Sequence, residues 1–131
     1  MATKKLVTKA AKAPKTPTLK RGEVYLGVVC EDGKLANARH VILLPGDKDQ
    51  IKWADAGAWA KSIGGELPTR MELLLAFKTQ AKKFKPRIYW SSETIAGDES
   101  YAWGQGFYGG SQDRWSKGNE FRARAVRRLP I

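Results

Sequence analysis

The sequence predicts an α+β fold in which two strands precede two helices and a run of further strands follows. Three patterns support this prediction: an apolar, β-branched run before an Asp-Gly pair, two segments with apolar residues at spacings of three and four, and a C-terminal part rich in aromatic residues and glycine. Strands and helices are grouped instead of alternating, unlike those of a parallel α/β protein. A length of 131 residues suits one domain.

The first pair of strands is expected between residues 23 and 44. Residues 23–30 are largely apolar, and the Asp32-Gly33 pair after them is suited to a tight hairpin turn. The return strand is expected at residues 38–44, where Pro45-Gly46 end the apolar run. This part of the chain should therefore form an antiparallel pair.

The first helix is expected at residues 53–63. Its apolar residues have the spacing of an amphipathic helix: Trp53, Ala56, Ala60 and Ile63. Gly64-Gly65 should end the helix, because glycine readily takes the left-handed conformation that satisfies the last carbonyl groups.

The second helix has the strongest local signal in the chain. Thr69 is the expected N-cap, and Glu72 three residues later completes a capping box. The helix should run to about Lys83, because Pro86 forbids its continuation. The residues expected to be buried are Met71, Leu74, Leu75 and Phe77.

The C-terminal part is expected to be an antiparallel meander, because short aromatic segments are separated by glycine and polar residues. The expected strands are residues 88–92, 101–108, 112–116 and 121–129. Alternation in the last strand predicts one face with Phe121, Ala123 and Ala125 and another with Arg122, Arg124 and Val126.

Positive charge is concentrated at the N-terminal end of the chain. The first 21 residues contain no Asp or Glu and carry +7 of the formal +11. The cations are Lys4, Lys5, Lys9, Lys12, Lys15, Lys20 and Arg21. Residues 1–21 are expected to be a disordered basic arm, and residues 22–131 are expected to form the domain. The arm has too few large apolar side chains for their burial to offset the conformational entropy lost on ordering. Such an arm binds phosphates or an acidic protein surface, or only aids solubility.

The composition argues against several functional classes. Cys30 is the only cysteine and His40 the only histidine, which leaves no disulfide and no cysteine-based zinc site. There is no nucleophile elbow and no phosphate loop, so we expect no enzymatic activity and no cofactor. No stretch has the ~20 apolar residues of a membrane span, and no signal peptide is evident. We expect a cytoplasmic location in the producing cell and no membrane insertion.

Four segments of the second half occur together in an order that is similar to a known family. They are Glu66-Leu-Pro-Thr-Arg-Met-Glu-Leu73, Tyr89-Trp-Ser-Ser-Glu93, Trp103-Gly-Gln-Gly-Phe107 and the arginine-rich residues 122–128. Over about residues 50–129, the chain resembles the Lcl C-terminal domain family. The resemblance implies a C-type-lectin-like fold, in which two helices pack on antiparallel strands and long loops form a binding face.

The resemblance also implies a function, since such domains are ligand-binding or adhesive modules of bacterial surfaces or phages. The basic arm and the missing signal peptide and cysteine pair favour a phage or prophage protein over a secreted adhesin. We expect a non-enzymatic recognition or structural module, incorporated into a virion, that binds a protein or carbohydrate partner. Lectin-like modules often act as homo-oligomers, but the sequence selects no symmetry.

The expected binding face lies in the loops between Ser91 and Gly118, where aromatic and polar residues mix. The candidate ligand-binding residues are Glu93, Asp98, Glu99, Tyr101, Gln105, Tyr108 and Trp115. Trp90 and Trp103 are interpreted as core residues, because aromatic side chains dominate small cores. The acids have no regular ligand spacing, so we expect no metal.

The alternative is a nucleic-acid-associated protein. The basic arm would bind phosphate together with a second cluster of cations near the C-terminus, Arg122, Arg124, Arg127 and Arg128. The competing interpretation of this cluster is a strand whose arginine stems cover apolar surface. The chain carries no sequence-readable nucleic-acid motif, which favours the recognition module.

Overall fold

The computed structural model describes residues 15–131, which contain two α-helices and eight strands arranged in two sheets. The predicted α+β class is therefore confirmed. The strands are β1 (Val24–Val29), β2 (Arg39–Leu43), β3 (Lys48–Ile51), β4 (Ile88–Ile95), β5 (Asp98–Gly106), β6 (Gln112–Ser116), β7 (Phe121–Ala123) and β8 (Val126–Pro130). The helices are α1 (Trp53–Ser62) and α2 (Arg70–Gln80).

The strands are divided between two sheets. One sheet has the order β1-β2-β8 and is antiparallel throughout, so the C-terminal strand pairs with a strand from the first part of the chain. The other has the order β3-β7-β4-β5-β6. Strands β4, β5 and β6 form the predicted meander, but β7 lies on the other side of β4 and is parallel to it.

The prediction of one strand at residues 121–129 is wrong. The chain changes sheets at Arg124 and Ala125, between β7 and β8, where the Ala125 carbonyl accepts a hydrogen bond from the Leu44 amide. Both faces of this crossing are covered, and Ala123, Ala125 and Val126 are all fully buried. The predicted separation of these residues onto two opposite faces of one strand therefore does not apply.

The connection between β1 and β2 is longer than the tight turn that the Asp-Gly pair predicts. Gly33 does adopt a positive φ of 72°, but the chain then forms a short 3-10 helix, Leu35–Asn37, before β2 begins. The Asp32 carboxylate organises this segment by accepting hydrogen bonds from the Lys34 amide at 2.9 Å and the Asn37 side chain at 2.5 Å.

Helix α1 packs through its small residues and ends as predicted. Ala56 and Ala60 are fully buried, and Gly64 has the expected positive φ of 87°. Gly65 is required for a second reason, which the sequence does not reveal. A Cβ atom at this position would lie 2.6 Å from the Val126 carbonyl oxygen, so only glycine permits β8 to approach the helix end so closely.

Helix α2 begins as predicted but is rotated from the predicted orientation. The capping box is present, with the Thr69 hydroxyl accepting from the Glu72 amide at 3.2 Å and the Glu72 carboxylate accepting from the Thr69 amide at 2.8 Å. The buried residues, however, are Glu72, Leu73 and Ala76. Met71 and Leu74 are 46% and 45% exposed, so the prediction that they are buried is wrong.

The Glu72 carboxylate explains the rotation of α2. It is fully buried and accepts hydrogen bonds from Arg39 on β2 at 2.9 Å and from Arg128 on β8 at 2.7 Å and 2.8 Å. Turning Glu72 inward toward two guanidinium groups turns the neighbouring Met71 and Leu74 outward. The helix start is thereby joined to two strands of the three-stranded sheet.

Two apolar clusters form the core. The first fills the space between α2 and both sheets, and in it Phe84 stacks on Phe107 with the ring centroids 4.0 Å apart. The second lies between α1 and the five-stranded sheet around Trp90, which is fully buried and donates its indole hydrogen to the Ile51 carbonyl at 2.9 Å. The interpretation of Trp90 as a core residue is confirmed.

The end of the predicted arm contacts the domain. The Thr18 carbonyl accepts a hydrogen bond from Arg127 at 3.4 Å, and the Lys20 amide donates to the Glu23 carboxylate at 2.7 Å. Contacts therefore begin before the predicted boundary at residue 22. Lys15, Lys20 and Arg21 are exposed, whereas four predicted arm residues lie outside the described part of the chain: Lys4, Lys5, Lys9 and Lys12.

We expect Glu72→Gln to lower the free energy of unfolding by about 3 kcal/mol, because it removes the buried charge that two partly buried guanidinium groups share. Urea denaturation followed by circular dichroism measures this change. Glu66→Gln is the matched control, since the Glu66 side chain is 64% exposed and pairs with Arg128 only; it should cost less than about 1 kcal/mol. Equal losses in the two variants would contradict the role assigned to Glu72.

The same carboxylate should make stability depend on pH. Burial alone would raise the pKa of Glu72, but the hydrogen bonds from Arg128, the Thr69 amide and Arg39 outweigh it and hold the pKa below its ordinary value of 4.5. Its contribution is therefore complete above pH 4.5 and is lost as the pH falls through the folded-state pKa. In urea titrations at decreasing pH, the wild-type protein should lose more stability below pH 4.5 than Glu72→Gln does.

Candidate functional site

The predicted ligand-binding residues do not share one loop face. The segment from Glu93 to Tyr101 forms a hairpin, in which Ile95 pairs with Asp98 and Gly97 has a φ of 83°. Glu93, Asp98, Glu99 and Tyr101 therefore lie on strands β4 and β5. The expectation of a long binding loop here is corrected, because β4 and β5 pair up to a tight turn at Gly97. The residues expected in a loop are therefore strand residues.

Several of these residues already have intramolecular partners. The Glu93 carboxylate accepts from the Arg70 amide at 2.7 Å, at the start of α2, and Asp98 accepts from the Ser100 hydroxyl at 2.6 Å. Gln105 is fully buried, and its side-chain oxygen accepts from Gln112 at 2.8 Å. Gln105 is thus part of the interior and is not available to a ligand.

The aromatic candidates are also separated. Trp115 is half-buried and packs edge-on against Phe121 at 5.3 Å, so it belongs to the second core cluster. Trp103, which the sequence assigns to the core, is half-buried beneath the Arg70 guanidinium at 3.6 Å. Tyr101 is 37% exposed on β5, and Tyr108, just after β5, is 62% exposed. Tyr108 is therefore the predicted aromatic residue most available to a ligand.

The four arginines near the C-terminus are all engaged within the molecule. Arg122 pairs with Asp47 at 3.0 Å and Asp49 at 3.1 Å, whereas Arg127 pairs with Glu23 at 2.8 Å. Arg128 pairs with Glu72 and Glu66, and Arg124 donates to two backbone carbonyl groups. This placement argues against the alternative in which the four arginines bind phosphate from one strand.

A cleft of about 460 Å³ combines Tyr108 with polar residues from three other parts of the chain. It lies where β3 meets β7, beside the segments that precede β4 and follow β5. The lining residues are Asp49, Gln50, Arg87, Ile88, Tyr108, Glu120, Phe121 and Arg122. Of the residues predicted to bind a partner, Tyr108 and Arg122 are brought together here.

The Asp49-Gln50 segment projects into the cleft from an irregularity in β3. The pairing with β7 shifts register between Lys48 and Ile51, which leaves two residues outside the regular ladder. Gln50 has a φ of 46°, and its amide donates to the Asp49 carboxylate at 2.8 Å. A positive φ is uncommon for a residue other than glycine, and such conformations cluster at binding sites. The sequence carries no signal for it, because glutamine does not mark such a turn.

A hydrogen-bonded network behind the cleft holds Arg122 at its wall. The Asp47 carboxylate accepts from Arg122 at 3.0 Å and from the Tyr89 hydroxyl at 2.6 Å. The Tyr89 oxygen in turn accepts from the Lys85 amide at 2.9 Å. Burial and the hydrogen bond to Asp47 raise the pKa of Tyr89 to about 12, so this hydroxyl remains a neutral donor near neutral pH. The Arg122 guanidinium is consequently held in one position at the cleft.

The geometry of the cleft suits binding. An exposed phenol ring, one amide side chain and charges of both signs surround a shallow volume, which provides an apolar surface and several hydrogen-bonding groups.

Cys30 and His40, the single cysteine and the single histidine of the sequence, do not line the cleft. The Cys30 thiol donates to the Lys34 carbonyl at 3.1 Å, and His40 is buried against the Tyr25 hydroxyl at 2.8 Å.

The part of the chain from residue 15 to residue 131 lacks the features of a metal centre and of a membrane-spanning helix. No group of three or more His, Cys, Asp or Glu side chains there is arranged to hold a metal ion. In that same range, neither helix has the length and apolar character needed to cross a membrane.

A scan of the chain against models of protein families finds no match. A search of curated proteins finds no significant match either.

Proposed function

We propose that the chain is a non-enzymatic recognition module that binds a carbohydrate, or a polar segment of a protein, in the cleft beside Tyr108. One observation carries the proposal: the exposed Tyr108 ring shares a cleft with Gln50, whose backbone is held in an unfavourable conformation, and with charged groups of both signs. Preorganised polar groups next to an aromatic surface are typical of sites that orient a small polar ligand.

A carbohydrate fits the chemistry of this cleft. One face of a sugar ring presents C–H groups, which pack on an aromatic ring, and its hydroxyl groups both donate and accept hydrogen bonds. Tyr108 supplies the aromatic ring, whereas Asp49 and Glu120 are acceptors and Arg87 is a donor. Gln50 offers both a donor and an acceptor, which matches the dual character of a hydroxyl group.

We further propose that the fold is C-type-lectin-like, and the order of the helices and strands supports this. Two helices lie between an N-terminal and a C-terminal group of strands, and β2 pairs with β8 near the ends of the described chain. The hairpin of β4 and β5 replaces the long loops of the expectation, so the binding face is reassigned to the cleft. The proposal includes a place in a phage or prophage virion, which the family resemblance and the basic N-terminal residues support.

We expect Tyr108→Ala to weaken glycan binding about tenfold or more, because the variant removes the packing surface for the sugar ring. An array of bacterial and mammalian oligosaccharides identifies a bound glycan, and calorimetry then measures its affinity for each variant. Tyr101→Ala is the matched control, since it removes the same side chain from the β4–β5 hairpin and should leave affinity unchanged. Loss of binding in Tyr101→Ala alone would move the site to the hairpin and refute the cleft.

Gln50→Gly should separate stability from binding. Glycine relieves the cost of a positive φ, on the order of 1 kcal/mol, but adds entropy to the unfolded chain. The free energy of unfolding should therefore stay constant or rise by up to about 1 kcal/mol. Affinity for the glycan bound by the wild-type protein should fall, since the amide contacts are lost. A clear loss of stability together with full binding would show that Gln50 serves the fold and not the ligand.

A further inference from the structure

The segment between α2 and β4 is the most basic short stretch of the described chain. Residues 78–87 contain five cations and no acid. The cations are Lys78, Lys82, Lys83, Lys85 and Arg87, which we call the basic ridge. All five side chains are exposed, and none forms an ion pair with any residue of the range 15–131. The ridge therefore presents a charge of +5 to solvent.

The backbone of the basic ridge is fixed by the core. Phe84, in its middle, is buried and stacks on Phe107. The Lys85 amide donates to the Tyr89 hydroxyl at 2.9 Å, and the Arg87 carbonyl accepts from the Phe107 amide at 3.0 Å. A partner would thus meet cations whose backbone is already ordered, which lowers the entropy cost of association.

Arg124 adds positive charge beneath the basic ridge. It is only 9% exposed and donates to the Lys83 carbonyl at 2.7 Å and to the Leu44 carbonyl at 2.8 Å. Unlike the three neighbouring arginines 122, 127 and 128, it has no carboxylate within ion-pair distance among the described residues. Its charge is therefore not neutralised by an ion pair and strengthens the positive potential at this surface.

Two further cations, Lys20 and Arg21, are connected to the basic ridge through buried residues. Leu44, whose carbonyl binds Arg124, also lines a shallow hollow with Lys20 and Arg21. These two exposed residues belong to the predicted basic arm, and they are thus linked to Lys83 through Leu44 and Arg124.

We propose that the basic ridge binds the phosphate backbone of nucleic acid without sequence preference. Lysine ammonium groups on flexible stems act as point charges toward phosphates and release condensed counterions, which requires no base contact. The other exposed residues of the segment 78–87 are Thr79, Ala81 and Pro86, so this segment itself presents no large apolar side chain of the kind that enters a lipid surface. The exposed Met71 and Leu74 lie on α2, where they border Lys78 only. This site differs from the phosphate-binding strand of arginines 122, 124, 127 and 128 that the sequence suggested, because those four side chains bind groups within the molecule.

The test is fluorescence anisotropy of the full chain with a labelled DNA duplex of arbitrary sequence, measured across a series of salt concentrations. Lys82→Gln, Lys83→Gln and Lys85→Gln are combined in one variant. The control variant combines Lys34→Gln, Lys52→Gln and Lys61→Gln, which removes the same charge from exposed positions elsewhere. Thermal denaturation establishes that both variants fold, and the full chain retains its N-terminal lysines in every case.

The ridge variant should bind more weakly by more than about tenfold at low salt, and its slope of log affinity against log salt should be shallower by about 2.7. The control variant should retain the wild-type slope. Equal effects of the two variants would overturn the proposal, and so would the absence of DNA binding by the wild-type chain. Tighter binding to vesicles of phosphatidylserine than to DNA, lost in the ridge variant, would assign the ridge to a membrane surface instead. Glycan binding in the cleft is measured separately, because the mutated lysines do not line it.

Discussion

The buried carboxylate of Glu72 is the interaction on which the rest of the arrangement depends. It closes the capping box of α2 and also receives Arg39 from β2 and Arg128 from β8. Arg39 and Arg128 lie on the same face of the sheet, because Arg128 pairs with Val41, two residues from Arg39. A slip of β8 that brings Leu129 opposite Val41 would turn Arg128 to the opposite face and leave Glu72 with Arg39 alone. The ion pair therefore opposes a slip in that direction, although such pairs add little net stability over apolar packing.

Arginine and lysine have different places in this structure, because buried carboxylates and carbonyl groups are bound by arginine and not by lysine. Planar guanidinium groups suit fixed carboxylates and carbonyls, and arginines 122, 124, 127 and 128 are all used in this way. Lysine carries a strongly hydrated point charge, and the four lysines of the basic ridge remain at the surface. These four arginines thus organise the fold, whereas the lysines of the basic ridge form no ion pair within residues 15–131.

The sequence predicted what local interactions determine. The capping box at Thr69 and the glycine stop at Gly64 depend on neighbouring residues alone, and both are present. The rotation of α2 could not be read from the apolar spacing, because distant guanidinium groups draw Glu72 inward. The sheet change at Ala125 depends likewise on the approach of Leu44 and could not be foreseen. In the cleft, Tyr108 is one of the ligand-binding residues that the sequence predicts, but the conformation of Gln50 has no sequence signal.

The cleft and the basic ridge share one rigid frame. A chain of hydrogen bonds runs from the Lys85 amide through Tyr89 to Asp47 and Arg122, and so joins the backbone of the ridge to the wall of the cleft. Arg87 belongs to both, since it ends the ridge and lines the cleft. Because this frame is fixed, a polyanion bound to the ridge would not change the shape of the cleft. It would affect ligand binding there by placing negative charge next to Arg87. Neutral ligands would then be affected little, whereas acidic ligands would compete for the same guanidinium group.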